Sequence, residues 1–118
     1  MTPEQYFAGE PVALRLFAEV CRAVDAIGDC ELRVSKSQVA FRRRIAFAWA
    51  WCPTKVLKRA AAPLVLTIGL RRHDPSPRWK EVVEPRPGRF THHIELYDEA
   101  DVDGEVAAWL REAWGAAG

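Results

Sequence analysis

The chain has 118 residues, 49% of them hydrophobic and 28% charged, and a formal net charge of +1. This is the composition of a globular domain long enough to bury its own core. Such an apolar fraction excludes a disordered chain. A membrane-spanning chain is excluded as well, because no apolar run approaches the roughly 20 residues of a transmembrane helix.

Two helices are predicted before any strand. The segment Thr2–Gln5 has the N-cap threonine, first-turn proline and capping-box glutamine of a helix start, and Gly9 ends this short element. From Pro11 to Ile27, apolar residues recur at helical spacing, which predicts an amphipathic helix that stops at Gly28. Cys21 lies within the apolar stripe of this helix, as a small buried hydrophobic residue.

After Gly28 the apolar period changes to two, the period of β-strands. Five strands are predicted: around Leu32 and Val34, around Val39 and Phe41, and over Ile45–Trp51, Pro63–Leu70 and Thr91–Tyr97. In the third strand, strict alternation places Ile45, Phe47, Trp49 and Trp51 on one face and three alanines on the other. We expect the large side chains to face the core, which leaves the alanine face open. If the other face meets the helices, Trp49 and Trp51 together with nearby basic residues would suit contact with a nucleotide or nucleic acid.

The residues that follow the fourth strand, 71–90, form an unusually long connection with four prolines. Its segment Arg78–Glu84 is predicted to form one or two helical turns, ended by Pro85. A final helix begins near Asp98 or Asp101 and runs to about Trp114. Residues 1–118 therefore read as a single α+β domain, with a five-stranded, mainly antiparallel sheet and the N-terminal and C-terminal helices packed on one face.

Three runs, YFAGEPVALRLF, VSKSQVAFRRRIAFAWAW and RRHDPSPRWKEVVEPRPGRFTHHIEL, resemble an uncharacterised bacterial family catalogued as a domain of unknown function. The resemblance covers nearly the whole chain, and the last run is its most specific part. The chain is also distantly similar to the YdhG-like group of small α+β domains. These resemblances imply the fold and a cytoplasmic location, and they supply no activity, cofactor or catalytic residue.

Cysteine usage and the N-terminus also favour the cytoplasm. The three cysteines lie far apart, with no C-x-x-C pair, which favours reduced thiols over a disulfide framework or a zinc knuckle. The first ten residues lack the basic and apolar regions of a signal peptide.

The chain has three histidines, and two of them are adjacent. Because neighbouring side chains of a strand point to opposite faces, His92 falls on the apolar line with Ile94, and His93 falls on the polar line with Glu95. One metal ion cannot readily bind both, and no His-x-His or helical i,i+4 pair is present. We therefore expect no metal site. His93, beside Glu95, is the better candidate for anion binding or proton transfer.

Candidate ligand-binding residues come from three segments. Lys36, Gln38 and Arg42 follow strand spacing, and polar residues of the central strands extend the same surface. The loop that begins at Arg71 presents forked arginine donors to a phosphate or carboxylate, or is itself fixed by an ion pair of Asp74. The predicted ligand-binding set is Lys36, Gln38, Arg42, Thr67, Arg71, Arg72, Asp74, Arg78, His93 and Glu95.

Charge is distributed unevenly along the chain. Residues 33–90 carry 14 Lys and Arg against three acidic residues, a net charge of +11, whereas residues 1–32 and 91–118 carry −4 and −6. Such a centre attracts an anionic partner, or it complements the acidic helices within the fold. We expect a small cytoplasmic binding or accessory module for an anionic small molecule or peptide, held on the polar face of the sheet.

Two alternatives remain from the residues alone. The first is a nucleic-acid-binding module, in which the basic centre follows a phosphate backbone. The second is a hydrolase that uses His73, Asp74, His93 and Glu95. It lacks any recognised nucleophile motif, so no residue is assigned a catalytic role.

Overall fold

A computed structural model describes residues 1–55 and 62–118, in which two helices precede an antiparallel sheet and a third follows it. The helices are α1 (Pro3–Tyr6), α2 (Pro11–Asp25) and α3 (Gly104–Ala116); the strands are β1 (Glu31–Val34), β2 (Val39–Arg42), β3 (Ala46–Trp51), β4 (Leu64–Leu70), β5 (Glu81–Arg86) and β6 (Arg89–Leu96). The strand order is β1-β2-β3-β4-β6-β5, and every neighbouring pair is antiparallel. The predicted α+β class is therefore confirmed.

The sheet has six strands, and the prediction of five was wrong. The additional strand is β5, which lies in the segment predicted to form helical turns. Val82 and Val83 are β-branched and suit a strand, and Gly88, with a φ of +77°, makes the turn that pairs β5 with β6. Because β5 is an edge strand, Pro85 is tolerated within it even though proline cannot donate to a ladder.

The helix starts are encoded locally. In α1 the backbone N–H of Gln5 donates to the Thr2 hydroxyl at 3.1 Å, and the Thr2 N–H donates to the Gln5 side chain at 2.7 Å, which confirms the predicted capping box. Helix α2 ends at Asp25, before Gly28. Gly28 does not end the helix; it allows the indole of Trp114 to pack directly against the backbone, where a Cβ would overlap the ring.

Helices α2 and α3 pack on one face of the sheet, and the core lies between them and the central strands. A series of phenylalanine rings crosses this core. The ring centroids of Phe7 and Phe17 are 5.0 Å apart, those of Phe17 and Phe41 are 5.8 Å apart, and those of Phe41 and Phe47 are 6.3 Å apart. Among the described residues, no helix is long and apolar enough to cross a bilayer.

The face of β3 that was expected to be open is the buried one. Ala48 and Ala50 are fully buried under the helices, whereas Trp49 and Trp51 are half-buried on the opposite face. The cause is a β-bulge. Phe41 of β2 pairs with Ala48 and the next residue pairs with Ala46, so Phe47 is an extra residue that interrupts the alternation. Phe47 thus stays in the core while the two tryptophans point away from it.

Candidate functional site

The open face of the sheet carries two indoles that lean from β3 across β4. Nε1 of Trp51 donates to the Thr67 hydroxyl at 3.0 Å. The six-membered ring of Trp49 lies beside Gly69, where an added Cβ would be 3.6 Å from it. Thr67 and Val65 are therefore only 5% and 4% exposed, although the described helices pack on the other face. The outer surfaces of the half-buried indoles remain accessible.

His93 is held by the same hydrogen-bonded chain. The Thr67 hydroxyl lies 2.7 Å from Nδ1 of His93, and it already accepts the indole hydrogen of Trp51. The threonine hydrogen has no other acceptor among the described residues, so we assign it to Nδ1, which leaves the imidazole proton on Nε2. Burial lowers the pKa of His93, against an opposing effect of Glu81, so the ring is neutral at pH 7.

These side chains surround a shallow hollow of about 370 Å³, here called the tryptophan depression. Its lining residues combine indole surface with hydroxyl, amide and imidazole groups: Gln38, Trp49, Trp51, Thr67, Thr91 and His93. An aromatic surface with a few fixed polar groups is typical of a small-molecule site.

A second concavity, here called the arginine cleft, adjoins the first at the end of the sheet. It has a volume of about 310 Å³ and lies where β3 begins and β4 ends, between the β5–β6 hairpin and the last turn of α3. Its walls are mainly apolar, its charged lining residues are Arg71, Arg86 and Arg89, and none of the acidic residues in the described part of the chain lines it. Trp49 and Thr91 line both concavities, which therefore adjoin; the two together are here called the groove.

The three arginines of the cleft differ in how they are held. Arg71 donates one guanidinium N–H to the carbonyl of Ala116 at 3.0 Å, which fixes the group and leaves other donors free. Arg86 and Arg89 face each other directly across β5 and β6. Neither makes a side-chain hydrogen bond or ion pair within the described residues, and like charges in this position repel each other. An anion between them would relieve that repulsion.

The tryptophan depression brings together three of the predicted site residues, Gln38, Thr67 and His93. Glu95 lies on the same face of β6 as His93, and its carboxylate accepts a hydrogen bond from Nζ of Lys80 at 3.1 Å. Part of the predicted polar face is thus assembled around the indoles.

Three other predicted residues lie in separate places. Arg71 lines the arginine cleft. Lys36 lies in the turn between β1 and β2 and lines neither concavity. Arg42, which follows the bulge, lines a different hollow with Cys30 and Trp114.

Asp74 fixes the long loop from within, as one of the two interpretations of the sequence proposed. Its carboxylate accepts hydrogen bonds from Nε1 of Trp79 at 2.9 Å, from the backbone of Ser76 at 3.1 Å and from Arg72 at 2.8 Å. Burial by itself would raise the pKa of Asp74, but these hydrogen bonds outweigh it and the pKa is lowered. Asp74 is thus a buried anchor with its acceptor sites occupied.

Arg72 and Arg78 bind acidic residues of the C-terminal region. Arg72 makes two bonds of 2.9 Å to the carboxylate of Glu112. Arg78 donates to Asp103 at 3.0 Å and to Glu105 at 2.9 Å, both at the start of α3. Part of the basic centre therefore complements the acidic end of the chain, and these two arginines do not line the groove.

The histidine pair is split as the strand alternation predicts. His92 is fully buried on the core side, and His93 lies on the open face. His73 packs near His92, with ring centroids 6.1 Å apart, so it lies with Asp74 on the side of the sheet opposite His93. No group of three or more His, Cys, Asp or Glu residues in the described part of the chain is placed to hold a metal ion.

The cysteines are not placed as nucleophiles. All three are free, and burial raises the pKa of the Cys21 thiol to about 12 and that of Cys52 to about 11. Burial also raises the pKa of Cys30. Such thiols stay protonated at neutral pH and react slowly.

Five residues on which the groove depends lie outside the predicted ligand-binding set: Trp49, Trp51, Arg86, Arg89 and Thr91. The tryptophans were assigned to the core because the bulge leaves no signature in the sequence. The arginines flank a proline and a glycine in PRPGR, a turn-forming composition that could have indicated a basic hairpin.

A family model described as a domain of unknown function, DUF5655, matches residues 4–117. No curated protein and no solved structure matches the chain.

Proposed function

We propose that this chain, which belongs to the DUF5655 family of domains of unknown function, is a small binding module for an anionic small molecule. The ligand occupies the arginine cleft and extends over the indole of Trp49. The free cysteines support placement of this module in the reducing cytoplasm.

The observation that carries this proposal is the unneutralised arginine pair. Arg86 and Arg89 oppose each other at the hairpin, and Arg71 adds a third guanidinium anchored on α3. Other arginines near the sheet, Arg72 and Arg78, are by contrast paired with carboxylates. Forked arginine donors that converge without an acid are the usual receptor for a carboxylate or phosphate.

The shape of the cleft favours a small molecule. Its volume of about 310 Å³ lies at the lower end of the range of ligand sites, and its apolar walls suit a ligand with a hydrophobic or planar body. Arg71 is positioned before the ligand arrives, because it is bonded to the carbonyl of Ala116. Such preorganisation reduces the entropy lost on binding.

Single-stranded nucleic acid is the second candidate. Trp49 and Trp51 lie half-buried on the sheet face opposite the described helices, where bases can stack on indoles. The pairing of Arg72 and Arg78 with acidic residues argues against a long phosphate track, because these cations are already neutralised.

Titration with inorganic phosphate and with benzoate, by calorimetry at low and moderate salt, tests the proposal. We expect at least one anion to bind, with an affinity that falls as salt rises. Arg89→Gln should abolish this binding, whereas Arg111→Gln, at an exposed arginine of α3, should not change it. Absence of binding by any anion, or equal affinity in the two variants, contradicts the proposal.

A further inference from the structure

We infer that the ligand is a nucleoside phosphate, with its phosphate in the arginine cleft and its base on the indoles of the tryptophan depression. This inference rests on the proposed function and adds the chemical class of the ligand. It follows from the position of the two concavities, one lined by arginines and the other by indoles and neutral polar groups. They adjoin, and Trp49 and Thr91 line both.

The first argument is spacing along β6. Arg89, Thr91 and His93 occupy the same face of this strand, and each step of two residues covers about 7 Å. The Cα atoms of Arg89 and His93 are therefore roughly 14 Å apart, with Thr91 midway. A ligand that contacts both ends needs an anionic head, a spacer and a polar far end. Inorganic phosphate and benzoate are too short to reach both.

The second argument is the state of the indoles. Trp51 is fixed by its hydrogen bond to Thr67, and Trp49 rests beside Gly69, so both rings are held without a ligand. Their partly exposed surfaces favour a flat partner over a branched aliphatic one, because aromatic rings of every base stack on indole. The tryptophan depression thus combines a surface for stacking with hydrogen-bonding groups at one of its ends.

The third argument is hydrogen-bond complementarity. His93 offers an Nε2–H donor that makes no hydrogen bond within the described residues, and Gln38 offers both a donor and an acceptor. These groups match the edge of a heterocyclic base. Thr91 donates its hydroxyl hydrogen to the carbonyl of Val83 at 3.3 Å, so its oxygen remains free to accept from a sugar hydroxyl. Base, sugar and phosphate thus have partners in that order along the groove.

Calorimetry with adenosine monophosphate, adenosine, ribose 5-phosphate and a single-stranded oligonucleotide tests the inference. We expect adenosine monophosphate to bind about tenfold or more tightly than either of its halves, because both ends of the groove contribute. Trp51→Leu, at an indole that lines the tryptophan depression and not the arginine cleft, should weaken adenosine monophosphate about tenfold and leave ribose 5-phosphate unchanged. Arg89→Gln should weaken both phosphates and leave adenosine unchanged. Circular dichroism and thermal unfolding of each variant verify that it is folded.

The outcomes separate this inference from the proposed function. If ribose 5-phosphate or benzoate binds as tightly as adenosine monophosphate, the anion site stands and the nucleoside is excluded. If the oligonucleotide binds far more tightly than the mononucleotide, the groove belongs to single-stranded nucleic acid. If no anion binds, both proposals fail. Repetition with guanosine, cytidine and uridine monophosphates excludes a failure caused only by the choice of base.

Discussion

The backbone N–H of Asp74 donates a hydrogen bond to Nε2 of His92 at 3.0 Å, and it ties the proline-rich loop to the buried side of β6. Since Nε2 accepts, the hydrogen of the neutral ring is on Nδ1. Nδ1 is buried and has no hydrogen-bond partner among the described residues. The backbones of Phe90 and Ile68 nevertheless lie near enough to the ring to oppose the lowering of the His92 pKa by burial. The contact therefore requires a neutral imidazole.

Asp74→Ala should lower the free energy of unfolding by roughly 2–4 kcal/mol. The substitution leaves the indole N–H of Trp79 without its acceptor in a buried site, where Trp79 packs against Trp109 with ring centroids 4.1 Å apart. Urea denaturation followed by circular dichroism measures the change. Asp25→Ala, at an exposed position near the end of α2, is the control and should change stability by less than about 0.5 kcal/mol. Similar values for both variants would show that Asp74 is not an anchor.

Stability should decline as the pH falls below about 6.5. Burial lowers the pKa of both His92 and His93 in the folded state, so the unfolded chain takes up these protons first. The stability gained by keeping these two imidazoles neutral in the fold is therefore complete above the ordinary histidine pKa. It is lost as the pH falls towards the lower folded-state pKa, with a slope of at most about 1.4 kcal/mol per pH unit for each proton. Denaturation curves between pH 5.5 and 8 measure it.

The variants His92→Gln and His93→Gln identify the source of that slope. Each removes one titrating group and should flatten the pH dependence, even where it also lowers stability at pH 8. An unchanged slope in both variants would mean that other groups are responsible.

Gly28→Ala should destabilise the fold by about 1–3 kcal/mol, because its Cβ forces the indole of Trp114 to move. That indole donates to the carbonyl of Asp29 at 3.0 Å and lies under the guanidinium of Arg43, so its displacement disturbs both contacts. Gly115→Ala is the matched control. Beyond the backbone of its own helix, no atom of the described residues lies within 4 Å of its added Cβ, and within α3 it should stabilise by about 0.5–1 kcal/mol. Thermal unfolding of the pair distinguishes steric overlap from helix propensity.

Arg78→Ala and Arg89→Ala should separate stability from binding. Arg78 bonds Asp103 and Glu105, so its loss should lower stability by about 1–2 kcal/mol and leave anion affinity unchanged. Arg89 opposes Arg86, so its loss should keep or slightly raise stability while affinity falls. Calorimetry and urea denaturation of the same two proteins measure both quantities. A large affinity loss in Arg78→Ala would place the site elsewhere.

Gly69→Val should block the groove without disturbing the fold. A Cβ at this position makes ordinary contacts, 3.5 Å from the Phe47 carbonyl and 3.6 Å from Trp49, and β-branched residues suit a strand. Its methyl groups would occupy space next to Trp49 that the ligand needs. We expect unchanged thermal stability and loss of anion binding, measured by calorimetry. Retained affinity would show that the ligand does not pass this point.

The sequence pattern was sufficient to predict features that depend only on residues within one helix or one strand. The capping box of Thr2 and Gln5 depends on residues three apart, and the alternation in β6 separates His92 from His93 in any antiparallel sheet. These features could be predicted because each is decided within a few neighbouring residues.

Tertiary structure decided the remaining features, because periodicity reports which residues share a face and not which face meets the helices. The bulge at Phe47 sends Trp49 to the open side, and it exists only through pairing with β2. The opposition of Arg86 and Arg89 likewise arises from the pairing of β5 with β6, which the prolines obscured in sequence. The predicted polar groups Gln38, Thr67 and His93 do converge. The indoles and the arginines lie next to them only because of how the strands pair in the folded sheet.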